Sequence, residues 1–489
     1  MSDRRRTEER RERRGWTCVA AMTAVVVATW ITRLTSPLPG NHIGNVAARY
    51  GLHVRNLFAD GLVGSSFSAA WEPYRTEPYA HHPPLLNLLD AIVGLVPGEA
   101  TFQVLLVPVV LAASALPAAA WLLRTLGFGW RATLLAVAAM AATAYFWVYS
   151  HVMVDLGPIL ALTASVVLLI DGSTNRRLVA AVSALVAVNA LLSWPGIAFT
   201  VALVGWLVVR RTESAWRVGT VALVSIGASL AFMVGVSGRA ELLDQTDQRR
   251  SSGSYPVGTV ARYALDDARD LLPLWYLVLT PLLVGFGIAD RRSRWLMALF
   301  TAAAAAWTLV LGNGTVVHDY WAYLLLLPGL LGCAALADRA LVALDGGEPP
   351  RGSRPRRGDW WAGLAGVGIA VTFAMMVAGP LGDRLIDRPT DAGHLIEAMD
   401  MPADQRVAWI VGFDFFRVIS YRLDRPVDAI TDVDLDGIGD DEVVFVDLEA
   451  LPDWYPERTM PEPVAERNGY AVVTVGHIRA ALADDPTGP

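Results

Sequence analysis

The chain has 489 residues, of which 54% are hydrophobic and only 18% are charged. Soluble domains carry about 25% charged residues, so this composition indicates a membrane protein rather than a wholly soluble one. The formal net charge of −7 gives no sign of a nucleic-acid partner. The two cysteines, Cys18 and Cys333, lie in separate apolar runs and form no disulfide framework or metal-binding pattern.

A helix of about 20 apolar residues crosses the bilayer core, and a window of that length finds about eleven candidate spans. The sequence therefore predicts a polytopic α-helical membrane protein. The first apolar run is long and lacks a small-residue cleavage site, so it is expected to be an uncleaved anchor. The predicted spans are 16–34, 101–123, 132–149, 156–170, 178–193, 196–209, 218–236, 271–289, 295–311, 321–341 and 360–380.

Arginine placement predicts the orientation of these spans. All 40 basic residues are arginine, which is typical of a GC-rich bacterial genome. Seven of them lie in residues 1–15 and others lie in every second loop, whereas the short loops near 150–155, 194–195 and 312–320 contain none. Because basic loops stay in the cytoplasm, we expect a bacterial cytoplasmic-membrane protein with a cytoplasmic basic tail at 1–15 and a transmembrane domain at 16–380. The segments predicted to lie outside are the long loops 35–100 and 237–270 and the tail 381–489.

The first outer loop begins with a stretch of helical period, residues 41–58. One face carries a polar residue every four positions, and the opposite face is mostly apolar. This pattern predicts an interfacial amphipathic helix whose polar stripe could bind a phosphate or a sugar, or could simply be solvated. The polar face holds Asn41, Asn45, Arg49 and His53, and the other face holds Val46, Tyr50, Val54 and Leu57.

Residues 78–92 read PYAHHPPLLNLLDAI. Each proline lacks an N–H and biases the preceding residue toward extended backbone, so the pair predicts a helix that starts at Leu85. His81 and His82 would then stand at the N-terminal side of that helix, where anions are favoured. A phosphate or metal role and a turn with solvated histidines are both open.

Polar residues also flank later spans on the predicted outer side, where they are costly and tend to be functional. Asp155 begins a span four residues after His151, so it could act as a general base, bind a metal or cap the helix. The turn SWPG at 193–196 places Trp194 where an interfacial aromatic is favoured. Just before the 321–341 span stand His318, Asp319 and Tyr320.

The tail 381–489 is water-soluble in composition and alternates short apolar runs with helix-like segments, as a small α/β domain does. The runs are 407–411, 443–446 and 471–475. Asp432, Asp434 and Asp436 resemble the start of a calcium loop, although Val443 stands where an EF-hand places Glu. A solvated acidic loop is the alternative.

Together these motifs resemble the GT-C superfamily of integral-membrane glycosyltransferases, in the family 39 or protein-mannosyltransferase-like branch. The resemblance covers about residues 15–340 and consists of five motifs in order. They are Val54-Arg55-Asn56, the Tyr79 to Leu85 stretch, the Ser150 to Asp155 stretch, the Trp-Pro-Gly turn and the His-Asp-Tyr run before Pro-Gly.

The resemblance implies sugar transfer from a polyprenyl-phosphate-linked donor to a glycan, lipid or protein acceptor at the outer face. No nucleotide is needed, and a divalent cation is left open. The family usually has an acid soon after the first span, but here Asn41-His42 stands in that place. Catalysis would then fall to His42 or Asp155, with Asp60, Glu72 and Glu77 as further acids, and the polar groups are expected to share one pocket at the non-cytoplasmic rim. Substrate binding would involve Asn41, Asn45, Arg49, Arg55, Tyr79, His81, His82, His151, His318, Asp319 and Tyr320.

Two other functions compete with glycosyl transfer. A transporter or flippase of a lipid-linked glycan often shows repeated halves and charges buried in mid-span, and neither is evident here. A non-catalytic, GT-C-like assembly subunit is favoured by the missing first-loop acid.

Overall fold

The structure is a computed structural model. It describes residues 2–34, 42–67, 82–97, 100–172, 175–240, 242–243, 256–317, 319–345, 357–377, 408–411, 419–421, 427–430, 435, 437–448, 465–467 and 470–484.

The chain divides into two compact units, each assembled from separate stretches. We call them the helical unit and the sheet unit. The helical unit comprises Met1–Ile31, His81–Leu85 and Pro108–Ile386. The sheet unit comprises Thr32–Ala80, Leu86–Val107 and Asp387–Pro489. The predicted domain boundaries at 15/16 and 380/381 stay predictions.

Helices account for most of the described chain. In order they are α1 Ser2–Leu34, α2 His42–Gly64, α3 Leu85–Gly94, α4 Ala100–Ala113, α5 Ala115–Thr125, α6 Trp130–Ala141, α7 Ala144–Val148, α8 Leu156–Ile170, α9 Arg176–Leu192, α10 Trp194–Val209, α11 Ala215–Ser237, α12 Val257–Leu271, α13 Leu274–Ala289, α14 Arg294–Val310, α15 Gly312–Val317, a 3₁₀ helix Asp319–Leu325, α16 Leu326–Leu344, α17 Arg357–Val377 and α18 Val475–Asp484.

Within the described residues the predicted spans fall mostly on helix, although 101–123 is divided between α4 and α5, 132–149 between α6 and α7, and 321–341 between the 3₁₀ helix and α16. Four helical segments of the described chain are long and apolar enough to cross a membrane. They are Arg6–Ile31, Phe102–Thr125, Ala215–Ser237 and Trp321–Leu344. Several of the other apolar helices have 10–17 residues. The structure is therefore a polytopic helical one, and the number of eleven crossings stays a prediction.

Glycines allow the helices of the helical unit to approach closely. A Cβ on Gly157 of α8 would lie 2.7 Å from the carbonyl oxygen of Leu111. A Cβ on Gly332 of α16 would lie 2.6 Å from the backbone oxygen of Leu283 in α13. Small residues at such crossings are typical of packed membrane helices, because they let backbones approach.

One end of the helical unit is joined by ionic contacts between loops that are predicted to be cytoplasmic, and we call it the arginine end. Arg124 pairs with Glu12 at 3.3 Å, and Arg131 pairs with Asp345 at 2.5 Å. Arg292 pairs with Asp290 at 2.7 Å and with Asp338 at 2.8 Å, and it donates to the carbonyl of Gly127. The contacts group these loops as the arginine pattern predicts, while the orientation in a membrane stays a prediction.

The sheet unit contains α2 and α3 from the first predicted outer loop. α2 is kinked at Gly61, whose φ of 71° is readily adopted only by glycine. α3 approaches α2 at Gly94, where a Cβ would lie 2.8 Å from Val54. Gly51 of α2 likewise lies against the ring of Tyr421 from the tail. The described tail thus contacts the helix that follows the first span.

The tail forms a five-stranded sheet in the order β2-β1-β3-β5-β4. β1 is parallel to both β2 and β3, whereas β5 is antiparallel to β3 and β4. Three strands coincide with the apolar runs of the sequence, and an independent extracytoplasmic α/β domain stays a prediction. The strands are β1 Ala408–Val411, β2 Val427–Ala429, β3 Val443–Asp447, β4 Ala465–Arg467 and β5 Tyr470–Thr474.

An arginine occupies the inside of the acidic loop before β3. Arg479 of α18 donates to the carbonyls of Leu435 at 2.6 Å and Ile438 at 2.8 Å, and it also pairs with Asp440. These oxygens therefore bind a guanidinium. The calcium candidates Asp432, Asp434 and Asp436 lie outside the described residues.

Candidate active site

Three turns of the helical unit meet at the carboxylate of Asp155. Ser193, from the SWPG turn, donates its hydroxyl to Asp155 Oδ2 at 2.6 Å. Tyr323, from the 3₁₀ helix, donates to Oδ1 at 2.9 Å and lies 3.0 Å from Oδ2. We call these three residues the Asp155 cluster. It lies at the end of α8, α10 and α16 opposite to the arginine end.

The carboxylate of Asp155 is almost inaccessible, since the residue is 2% exposed. Burial raises the pKa of Asp155, and the hydrogen bonds from Ser193 and Tyr323 oppose that rise. Asp155 stands at the N-cap position of α8, but its side chain makes no capping hydrogen bond, so the alternative of a mere helix cap is wrong. The Asp155 carboxylate therefore fixes the relative positions of the three turns that contribute Asp155, Ser193 and Tyr323.

The SWPG turn is shaped by short contacts of its own. Ser193 Oγ also accepts from the backbone N–H of Gly196 at 2.9 Å and so caps the start of α10. A Cβ on Gly196 would lie 2.2 Å from the carbonyl oxygen of Asn189. Asn189 in turn donates to the carbonyl of Pro158 at 3.1 Å, which connects α9 to α8. The glycine and the serine are therefore both required by the turn.

His151 is packed among aromatic rings near the Asp155 cluster. It is fully buried, with its ring 5.8 Å from that of Trp30 and 6.2 Å from that of Tyr149. Trp30 donates its indole N–H to the carbonyl of Phe146 at 2.9 Å, which fixes α1 to this end. A role of His151 in substrate binding stays a prediction, and its position here is within the packed wall.

The double-proline prediction is confirmed at the backbone, because α3 begins at Leu85. His82 is exposed and Pro83 is buried. The exposed imidazole of His82 is accessible to a ligand, and its binding role stays a prediction.

The predicted amphipathic helix is observed as α2, and the described part of its polar stripe is buried or partly buried. His53 is 2% exposed, and Asn45 and Arg49 are only half-exposed. The apolar face is buried as well, since Val46 and Val54 are both below 10% exposed. Between residues 45 and 54 both faces of the helix are therefore buried or partly buried.

Arg55 of α2 makes a specific contact with the tail. Its guanidinium lies 4.1 Å from the ring centroid of Tyr421, a cation–π geometry. This contact holds a residue of the predicted substrate-binding set in a fixed place.

Several predicted site residues lie outside the described residues. They are Asn41, Tyr79, His81, His318, Glu72 and Glu77, together with the side chains of His42, Asp319 and Tyr320. Asp60 is described and is exposed. Within the described part of the chain, no group of three or more His, Cys, Asp or Glu side chains lies close enough to hold a metal ion.

Sequence reasoning missed Ser193 and Tyr323, although both lie inside motifs that it named. Their only sequence signal is a hydroxyl near a turn. It also missed Asp90 of α3, a fully buried carboxylate whose pKa is raised by desolvation. Asp90 stands six positions after Pro84, and its isolation in an apolar helix was the available signal.

No protein-family model matches the sequence, and none of the curated proteins matches it either. Several solved structures, however, are similar to it in fold. The crystal structure of ArnT from Cupriavidus metallidurans bound to undecaprenyl phosphate superposes with a TM-score of 0.60 at 16% identity, covering 96% of this chain and 99% of that chain. The same protein in the apo state gives a TM-score of 0.53.

The oligosaccharyltransferase of Archaeoglobus fulgidus, tethered with an acceptor peptide containing the NVT sequon, is similar with a TM-score of 0.52 at 12% identity. That match covers 84% of this chain and 63% of the longer protein. At these identities the likeness concerns the fold. The chain therefore has the GT-C fold that both proteins share, and the predicted resemblance is confirmed at the level of the fold.

Proposed function

We propose that the chain transfers a sugar from a polyprenyl-phosphate-linked donor to an acceptor on the outer face of a bacterial cytoplasmic membrane. The observation that carries the proposal is the Asp155 cluster, a buried polar centre at the end of the helical unit opposite its arginines. Support comes from the fold, because ArnT in that fold binds undecaprenyl phosphate. The acceptor is a glycan, a lipid or a protein.

The reaction needs one new bond and one broken bond. An acceptor oxygen attacks the anomeric carbon, the bond from that carbon to the phosphate oxygen breaks, and polyprenyl phosphate leaves. A base takes the acceptor proton, and cations stabilise the phosphate. We assign the base to His42, since an imidazole titrates near neutrality, and the phosphate contacts to Arg49 and Arg55.

Asp155 receives a positioning role in this proposal. Its oxygens already accept from Ser193 and Tyr323, and its exposure is too small for direct proton transfer to an acceptor. Because it joins three turns, its loss is expected to misplace whatever those turns contact, and small displacements are costly in catalysis.

An apolar groove of about 480 Å³ supports a lipid-linked donor. It lies between α6, α13, α16 and α17 and is lined by aliphatic and small side chains together with Trp361. Pockets of this size and character suit apolar ligands. An isoprenoid tail fits such a groove better than a soluble nucleotide sugar does.

The test is sugar transfer by the purified protein in proteoliposomes supplied with radiolabelled polyprenyl-phosphate sugars and membrane-extract acceptors. We expect transfer by the wild type, loss in His42→Ala and partial recovery in His42→Asp, which restores the acid usual in the family. Asp338→Asn at the arginine end is the matched control and should transfer normally. Transfer that is unchanged in His42→Ala would remove the assigned base.

A non-catalytic assembly subunit remains the second candidate, and the burial of Asp155 together with the missing first-loop acid favours it. That candidate predicts donor binding with no label transfer under any acceptor condition. Movement of lipid-linked glycan across the bilayer without bond formation would instead indicate a flippase.

A further inference from the structure

The arginine end contains a cavity of about 730 Å³ that sugar transfer does not use. Its walls are the N-terminal part of α1, the turn between α5 and α6, and the last turns of α16. Four arginines line it, Arg11, Arg14, Arg124 and Arg131, against three acids, Glu8, Glu12 and Asp338. A volume of this size is ordinary for a ligand site.

Trp130 organises the wall on the α1 side. Its indole N–H donates to Glu12 Oε2 at 2.7 Å, and Arg124 binds the same oxygen. The ring lies against Gly15, where a Cβ would be 2.2 Å away, and the guanidinium of Arg124 lies 4.9 Å from its centroid. These contacts fix the basic segment of α1 as an ordered wall.

Among the described residues, some charged groups that line the cavity are bound to protein partners, and others are not. Glu12 is held by Trp130 and Arg124, and Asp338 is bound by Arg292, which lies outside the lining. By contrast, Arg11 and Arg14 are exposed, and no carboxylate of the described residues lies within ion-pair distance of either. Guanidinium groups with this freedom are suited to bidentate binding of a phosphate.

The remaining lining is apolar, which distinguishes this cavity from a site for a soluble anion. Cys18 of α1 and Val342 of α16 are exposed, and Leu134 and Leu341 also line the cavity. The cavity therefore has arginine side chains on one side and apolar side chains on the other.

Tryptophans place the cavity at the depth of lipid headgroups. Four helices that start at the arginine end, α6, α11, α14 and α17, carry a Trp within their first five residues, and the Trp residues of α11, α14 and α17 are exposed by 53–70%. Such a belt marks a membrane–water interface. Its members are Trp130, Trp216, Trp295, Trp360 and Trp361, with Trp16 at the same end on α1.

We propose that this cavity binds the phosphate headgroup of an anionic membrane phospholipid, with Arg11 and Arg14 on the phosphate and the acyl chains along α1 and α16. Basic pockets between helices on the cytoplasmic side suit such lipids. The arginines of this site lie at the end of the helical unit opposite to the Asp155 cluster, and Leu341 is the one residue that lines both this cavity and the apolar groove proposed for the donor tail.

The experiment titrates the purified full-length protein with phosphatidylglycerol, with phosphatidylcholine and with inorganic phosphate, and counts bound molecules by native mass spectrometry. We expect phosphatidylglycerol to bind and the Arg11→Gln/Arg14→Gln variant to bind it roughly tenfold more weakly. The control Arg176→Gln/Arg177→Gln, which removes two exposed arginines from another loop, should bind normally. Both variants should unfold at the wild-type temperature.

A second readout locates the lipid. Alkylation of Cys18 and Cys333 is followed by peptide mass, and phosphatidylglycerol should slow the reaction at Cys18 alone. Equal binding of phosphatidylcholine, equal protection by inorganic phosphate, or an unchanged affinity in Arg11→Gln/Arg14→Gln would each overturn the proposal.

Discussion

Different interactions stabilise the two ends of the helical unit: buried hydrogen bonds at one end and partly exposed ion pairs at the other. At one end Asp155 is buried and accepts hydrogen bonds from two hydroxyls, and no described cation pairs with it. At the other end Arg292 is about one-third exposed and bridges Asp290 and Asp338. Each end joins loops that are far apart in the chain.

Because the stabilising contacts differ, substitutions should be tolerated less well at the Asp155 cluster than at the arginine end. A buried carboxylate is expensive to leave without partners, so the Asp155 cluster permits one arrangement of its three turns. Partly exposed ion pairs contribute little and are screened by salt, so the exposed arginine side chains at that end can reorient around a ligand. A rigid end suits catalysis, and an adaptable, basic end suits lipid contact.

The largest expected effect is at Asp155. Asp155→Ala leaves the Ser193 and Tyr323 hydroxyls buried without their acceptor, and we expect the free energy of unfolding to fall by about 3 kcal/mol. Thermal unfolding in detergent measures it, with Asp338→Ala at the arginine end as the matched change. Equal losses in the two variants would abolish the distinction between the ends.

Gly196→Ala tests the SWPG turn through shape alone. The new Cβ would lie 2.2 Å from the carbonyl of Asn189, and such overpacking costs about 2 kcal/mol. Gly205→Ala in the same helix meets nothing within 4 Å, so it should be neutral or slightly stabilising. If both variants unfold at the same temperature, the turn is looser than described.

Tyr323→Phe removes only the hydroxyl that binds Asp155. A hydrogen bond to a carboxylate contributes about 1.5 kcal/mol, so the loss should be smaller than for Asp155→Ala. A double-mutant cycle with Ser193→Ala measures the coupling, which should be non-additive because the two hydroxyls share one acceptor. Strict additivity would mean that the hydroxyls act separately.

The smallest effect is expected at Arg292. Arg292→Gln should cost at most about 1 kcal/mol, since the side chain is partly exposed, and the cost should shrink in high salt. Hydrogen bonds from Arg292 lower the pKa of Asp290. The contribution is therefore present above about pH 4, the unfolded carboxyl value, and is lost as the pH falls through the lower folded value. Unfolding midpoints of wild type and variant at two salt concentrations and across pH 3–7 check this, and a salt-independent cost would contradict it.

Much of the helical unit could be predicted because its causes are local. Apolar length predicts helices, and the arginine pattern predicts which loops meet, as the pairs of Arg124, Arg131 and Arg292 show. The start of α3 at Leu85 followed from two prolines. In each case the sequence feature and the structural feature that it predicts lie in the same short segment of the chain.

The Asp155 cluster could be predicted only in part. The sequence placed Asp155 at a turn, but its partners come from residues 38 and 168 positions away, and hydroxyl residues at turns are common. For the stripe of α2 the sequence left ligand binding and solvation both open, because periodicity predicts a polar face but not what covers it. Burial of His53 depends on the surrounding chain.

The most direct measurement is photo-crosslinking with a polyprenyl-phosphate sugar that carries a diazirine on the sugar. We expect labelled peptides from the turns 149–155, 193–196 and 319–325 or from the first outer loop, with label lost when unlabelled donor competes. Sugar-dependent labelling confined to the arginine end, at 124–131 and 290–294, would show that the proposed location of sugar transfer is wrong.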